Sequence, residues 1–386
     1  MTPPDLNPFT FQTAGMIVFG RGKAASAVEM IQPWGRRVLL VRGTSVEWAD
    51  RFAVDLSQSG KDVSEHRTRG EPTLDQVRAA IAAGRERGVE QVVAVGGGSV
   101  IDLGKAAAAL IPGQGDIAEH LEGSGPAKPL DTAPLPFTAI PTTAGTGTEV
   151  TKNAVIGIPQ AQKKVSLRDA RMFPRLAVVD PALTDGAPWS VTLASGMDAL
   201  TQVIEPFLSA RATPLTDALC TSVMDNGFAA LEKLAQGENQ AARDQLAYVS
   251  LTGGIALANA GLGAVHGFAG VIGGRTTAPH GLICARLLGP VLQANAEAAI
   301  RAKQDMTKYR IIEEAIARAT GLPPERAFAG LGDWLTGMGL PRLSDWMDDP
   351  SDIPAICEAA QKSSSMQSNP HRLAPDRLAS ILASAL

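Results

Sequence analysis

An α/β domain with a parallel sheet, followed by an all-helical domain, is the fold class that the sequence predicts. Three observations predict it. Short apolar, β-favouring runs alternate with helical segments through the first half of the chain. Two of these runs end in glycine-rich loops. After about Pro181 strand-like runs stop, and long Ala/Leu-rich segments punctuated by Pro and Gly take over. The first strand is Arg36-Arg37-Val38-Leu39-Leu40-Val41, closed by Gly43. Residues 45–59 have helical spacing. Thr73 is the expected N-cap of a clearer helix, which continues through Ala, Arg and Glu residues to Arg87. A second strand over 89–95 breaks at glycines 96 to 98, and helical character resumes from Ser99 to Leu110. Pro136 opens a third strand, at its first position, where a missing N–H is tolerated. Residues 176–180 form a fourth. Helices are then expected over 190–210, 214–235, 239–260, 306–320, 324–338 and 353–362. The expected domains are 1–184 and 185–386, with no internal repeat.

The composition fits two domains with a sizeable core: 386 residues, 45% of them hydrophobic and 19% charged. A net charge of −4 argues against a basic nucleic-acid surface, and 4% aromatics argues against a stacking platform for single strands. Cys220, Cys284 and Cys357 are few and far apart, which points to no disulfide framework and to a reducing, cytoplasmic setting. The start of the chain carries no basic, then apolar, leader pattern. Between Asp244 and Arg275 there is no Asp, Glu, Lys or Arg, but eight glycines, Asn259 and His266 interrupt the stretch. Burial against another element, not a membrane span, is the expectation.

The run Gly96-Gly97-Gly98-Ser99, between a strand and a helix, suits a pyrophosphate. Glycines let backbone amides approach it, the helix start adds partial positive charge, and Ser99 adds a hydroxyl. The bland alternative is a tight βα turn. The spacing fits neither the usual dinucleotide fingerprint nor a P-loop. Residues 141–151, Pro-Thr-Thr-Ala-Gly-Thr-Gly-Thr-Glu-Val-Thr, form a second such loop, and α/β sheets bind ligands at the carboxyl ends of their strands. Only five histidines occur, and two of them, His266 and His280, sit 14 residues apart in apolar surroundings. Each is either a hydrogen-bonded core group or a metal ligand. With Asp198, the candidate carboxylate, they would suit zinc or iron.

Residues 96–105, 141–151, 195–205, 263–274 and 279–285, in this order and at these distances, resemble the iron-containing, group III alcohol dehydrogenases. The likeness extends from Val18-Phe19-Gly20-Arg21-Gly22 to Asn369-Pro370-His371-Arg372 and is shared more distantly with glycerol dehydrogenase and dehydroquinate synthase. It implies an NAD(P)-binding α/β domain, a helical metal- and substrate-binding domain, a cleft between them, and a homodimer. It also implies metal ligation by Asp198, His266 and His280. Dinucleotide contacts are implied from Gly43, Ser45, Gly97, Gly98, Ser99, Thr142, Thr143, Thr146 and Thr151, with Lys164, or its neighbour Lys163, at the nicotinamide-side ribose.

The sequence departs from the family pattern at two places. The family's second ligand on the Asp helix is a His four residues on; here it is Gln202, a weak ligand at most. That loss weakens Fe(II) retention and makes Zn(II) a candidate beside it. Many members carry a His where this chain has Gly270, so the resemblance implies no His-based proton relay at this position. Members preferring NAD commonly carry an Asp after the first strand. Here Gly43-Thr44-Ser45 offers no carboxylate to repel a 2′-phosphate, and Arg42, Thr44 and Ser45 offer donors, so NADP is favoured over NAD. The expected enzyme is a metal-dependent, NAD(P)-linked alcohol dehydrogenase or aldehyde reductase acting on a small molecule, with the loop over 113–129 helping to shape the pocket. Three rivals stand beside it. A cyclising lyase and a maleylacetate reductase both need basic pocket groups, and Arg275 is the only Lys or Arg between the two metal histidines. The third is a metal-free nucleotide-binding relative, suggested by Gln202 and Gly270.

Overall fold

Side-chain alternation builds the sheet. In β2 (Arg37–Gly43), Val38 and Leu40 join one buried cluster while Leu39 and Val41 join another. β4 (Gln91–Gly96) repeats the split, with Val93 and Val95 on one side and Val92 and Ala94 on the other. Strands buried on both faces read as continuous apolar runs, which is why these two were legible. β1 (Ile17–Phe19), β3 (Asp62–Thr68), β5 (Phe137–Pro141) and β8 (Leu176–Val179) complete a six-stranded sheet, all parallel, in the order β1-β8-β5-β4-β2-β3. The edge strands β1 and β3 escaped the sequence reading, since one is three residues long and the other is largely polar. The computed structural model describes residues 8–122, 127–347 and 349–386.

Helices cover both faces. α1 (Ala27–Met30) and α2 (Trp48–Gln58) supply Ala27, Phe52 and Leu56 to one cluster. α3 (Leu74–Arg87) and α4 (Gly98–Leu110) supply Val77, Ala80, Ile101 and Leu103 to the other. Thr73 caps α3 in a capping box with Gln76. Gly104 lets α4 lie close on the sheet: a Cβ there would stand 2.7 Å from the Ala94 Cβ. β6 (Asn153–Ile158) and β7 (Lys163–Arg168) add an antiparallel hairpin that the sequence reading missed. These elements form one compact unit, Thr13–Thr143 with Gly147–Asp185.

The other unit comprises Gly186–Leu386, Ala144–Thr146 and the described residues before Thr13. Its helices are α5 (Trp189–Leu208), α6 (Pro214–Ala235), α7 (Gln240–Ala260), α8 (Ala264–Arg275), α9 (His280–Arg301), α10 (Thr307–Thr320), α11 (Ala327–Gly337), α12 (Ile353–Gln361) and α13 (Pro375–Ala385). α8, α9 and α13 were not expected. α8 holds four glycines, and α9 has Pro290 inside it, so local propensity argues against both. Packing overrides that propensity. A Cβ on Gly281 would lie 2.1 Å from the Ala194 carbonyl oxygen, so α9 starts directly against the backbone of α5. No single helix among the described residues is long and apolar enough to cross a membrane. α7 and α8 pass that test only as a pair bent by 101°, and much of both is buried.

Candidate functional site

In the α/β unit the two predicted loops are neighbours because their strands are. Gly96 pairs with Pro141 at the carboxyl ends of β4 and β5. Gly96 carries no side chain for a reason: a Cβ would lie 2.6 Å from Val100, so α4 could not turn back at once. α4 then starts at Gly98 with Gly97 as an N-cap that supplies no side-chain bond, leaving first-turn amides for an anion. Gly97, Gly98, Ser99, Thr142 and Thr143 are all half-buried, and the Thr143 hydroxyl stands 3.4 Å from where a Cβ of Gly97 would be. Gly43 ends β2, the other neighbour of β4. The chain leaves β2 for β3 on one side and later returns to β4 on the other, so the carboxyl ends of β2 and β4 mark a topological switch point, where open α/β sheets bind ligands.

Four of the expected residues have partners or places that the sequence alone does not show. Arg42 is not a phosphate donor: its guanidinium is buried and bonded to Asp50, Glu65 and the Val46 carbonyl. The Thr151 hydroxyl is also buried, and it binds the Lys105 ammonium at 2.9 Å. Lys164 pairs with Glu71 at 3.3 Å, whereas Lys163 is exposed. Thr146 is half-buried and is grouped with the helical unit, where the adjoining Gly145 lies against Ser195. Part of the loop expected to shape the pocket, residues 123–126, lies outside the described residues.

In the helical unit Asp198 lies on α5, His266 in the first turn of α8, and His280 begins α9. The structure brings all three together. Asp198 Oδ1 is 3.2 Å from His266 Nε2 and 3.7 Å from His280 Nε2. A fourth group joins them that the sequence reading did not name. Cys284 Sγ is 3.8 Å from His266 Nε2 and 3.7 Å from His280 Nε2. The four atoms, each a possible metal ligand, all lie within 4.8 Å of one another. The signal for Cys284 was its i, i+4 spacing from His280, invisible without an expected helix there. Glu205 orients the ring: its Oε2 is 2.7 Å from His266 Nδ1, which leaves Nε2 free to serve as a ligand. Its Oε1 accepts the Val265 N–H at 2.7 Å.

Gln202 is buried one turn beyond Asp198, and its amide helps to keep that carboxylate ionised. Its Oε1 has no hydrogen-bond partner among the described residues. At Gly270, one turn after His266, a Cβ would meet nothing within 4 Å, so the missing side chain leaves open space. Burial penalises the charged forms of Asp198, His266 and His280. Even so, His280 and His266 hold the Asp198 carboxyl below its usual range, and Cys284, Asp198 and Glu205 hold the His266 imidazole well above its own. Cys284 and Asp198 likewise raise His280. This pocket stabilises positive charge, and a carboxylate, two imidazoles and a thiol are donors that suit a divalent transition metal.

The sequence matches the family profile described as iron-containing alcohol dehydrogenase over residues 14–181, and that described as Fe-containing alcohol dehydrogenase family, C-terminal, over 192–386. The chain belongs to the iron-containing alcohol dehydrogenase family. Among its relatives is the probable alcohol dehydrogenase EutG of Escherichia coli, 31% identical over 97% of this chain and 94% of that protein. The NAD-dependent methanol dehydrogenase of Bacillus methanolicus is 29% identical over 96% and 97%. A crystal structure of 1,3-propanediol oxidoreductase superposes with a TM-score of 0.88 at 30% identity, covering 98% of this chain and 100% of that one. Membership makes the protein an alcohol oxidoreductase that works with a nicotinamide dinucleotide and a metal.

Proposed function

We propose that Asp198, His266 and His280 hold one divalent ion and that the protein reduces aldehydes or oxidises alcohols there. The observation that carries this reading is the convergence of these three side chains from three helices, with Glu205 fixing the His266 tautomer. When bound, the ion polarises an alcohol or aldehyde oxygen as a Lewis acid, and a nicotinamide exchanges hydride with the carbon that bears it. The chain's own part is to position. Gly97, Gly98 and Ser99 at the start of α4, with Thr142 and Thr143, cradle the pyrophosphate. Thr146 adds a hydroxyl, and Thr151 acts by holding Lys105. Lys164, less exposed than Lys163, faces the ribose. His280 is the most exposed member of the metal cluster, with 28% of its side chain accessible, so substrate approaches from its side. A panel of alcohols and aldehydes, assayed with both dinucleotides on metal-reconstituted protein, tests the reading. Full activity in rigorously metal-free protein would sink it.

NADP(H) is the proposed preference, on the lack of a carboxylate at Gly43, Thr44 and Ser45, with the Thr44 and Ser45 hydroxyls as donors. Fluorescence titration should give tighter binding of NADPH than of NADH. Gly43→Asp should reverse the order, by on the order of 1–3 kcal/mol. A Cβ at residue 43 would lie 3.2 Å from Val46, so Gly43→Ala separates crowding from charge. Equal affinities in the parent would remove the basis of the argument. A homodimer, checked by sedimentation, and a cytoplasmic setting, supported by three free, buried cysteines, complete the proposal.

A further inference from the structure

We propose that Cys284 is the fourth ligand of the metal site, taking the place of the imidazole that this chain lacks at Gln202. The inference rests on the metal-dependent reading above and specifies its ligand set. Geometry supports it first. Four protein ligands at bonds of about 2.0–2.3 Å around one ion stand roughly 3.3–3.7 Å apart in tetrahedral geometry, and a substrate oxygen would join them as a fifth donor. The separations here are 3.2 and 3.7 Å from Asp198 Oδ1 to the two imidazoles, and 3.8 and 3.7 Å from Cys284 Sγ to the same nitrogens. All four atoms lie within 4.8 Å of one another, so the sulfur belongs to the same cluster as the carboxylate and the two imidazoles. The helix explains how it gets there, since Cys284 is one turn beyond His280 on α9 and shares its face.

Charge supports it second. Asp198 and Cys284 are 2% and 0% exposed. A buried ion is tolerated when its ligands neutralise it. One carboxylate and one thiolate balance a divalent cation, whereas a carboxylate with three neutral imidazoles leaves one positive charge over. Binding displaces the thiol proton to solvent, as metal binding to cysteine does. Gln202 offers only a neutral carbonyl, and its amide already serves Asp198. A thiolate also shifts the choice of metal: sulfur favours Zn(II), and Co(II) as its spectroscopic substitute, over Fe(II).

The test uses the full chain, stripped with a chelator and reloaded with Co(II). The loaded parent should show a near-ultraviolet sulfur-to-cobalt charge-transfer band at one ion per chain. Cys284→Ser should lose the band, while Cys220→Ser, Cys357→Ser and Gln202→Leu keep it. Against a competing chelator, Cys284→Ser should lose Zn(II) affinity by roughly 100-fold or more, beyond what changes in supporting groups cause, and Fe(II) affinity by less. Bound Co(II) without the band in the parent overturns the cysteine ligand and leaves the metal-dependent reading standing. So does a band that survives in Cys284→Ser. Failure of the parent to bind any ion overturns both. The parent spectrum needs no variant to fold, so the proposal stays falsifiable if Cys284→Ser does not.

Discussion

Glu205 does two things with one carboxylate. One oxygen accepts from the amide of Val265 at the start of α8, and the other holds Nδ1 of His266. The first anchors the helix, and the second fixes which nitrogen faces Asp198. Glu205→Ala should therefore lower metal affinity by about 10–100-fold, measured by chelator competition. It should also destabilise the metal-free chain by about 1–3 kcal/mol, since buried donors lose their acceptor. Unchanged metal retention would mean that α8 alone sets the ring. Arg42 shows the opposite case, a residue whose charge invites a ligand role but whose neighbours occupy it. Asp50 and Glu65 engage the guanidinium on the strand itself. Its type and position in the sequence could not reveal that, because Asp50 and Glu65 are 8 and 23 residues away.

At the scale of elements, α4 supports the threonine-rich segment from beneath. Lys105 is buried and donates to the carbonyls of Thr148 and Asn153 and to the hydroxyls of Thr148 and Thr151, at 2.7–3.1 Å. Burial pushes its ammonium down to about 8 against the pull of Asp102 and Glu149, and burial pushes the Glu149 carboxyl up to about 7. Between pH 8 and the ordinary lysine range, the unfolded chain holds a proton that the folded one releases, so stability rises with pH there. Between the ordinary glutamate range and pH 7, the folded chain holds the extra proton, so stability falls as pH rises. Melting temperature should thus show a shallow minimum between these limbs. Lys105→Met should erase the alkaline limb, and a limb that persists would assign it to another group. At the other end of the same helix start, Gly98→Val should abolish dinucleotide binding while the protein still melts cooperatively, because a side chain there would push an anion off the amides. Binding that survived unchanged would put the pyrophosphate elsewhere.

At the scale of the whole molecule, three helices bring Asp198, His266 and His280 together, so an ion held by them should link metal binding and fold. An ion at 100 times its dissociation constant adds about 2.7 kcal/mol to the state that binds it. For a unit of this size, chelation should lower the melting temperature by roughly 5–10 °C. His266→Ala should melt alike with and without chelator; a remaining difference would reveal a second site. The sequence by itself determined the parts whose cause is local. Continuous apolar runs gave β2, β4, β5 and β8. Glycines at strand ends gave the loops, and Asp198, His266 and His280 stood out as a carboxylate and two imidazoles in apolar surroundings. Only the tertiary structure decided the rest. α8 and α9 exist because packing against neighbouring helices outweighs their glycines and Pro290. Cys284 therefore became visible beside His280 only once α9 was there to carry both on one face. Thr151 and Arg42 were claimed by Lys105, Asp50 and Glu65, partners that only folding brings near. Local sequence fixes propensity and chemistry, whereas which groups share a buried space depends on contacts between distant segments, and those form only in the folded chain.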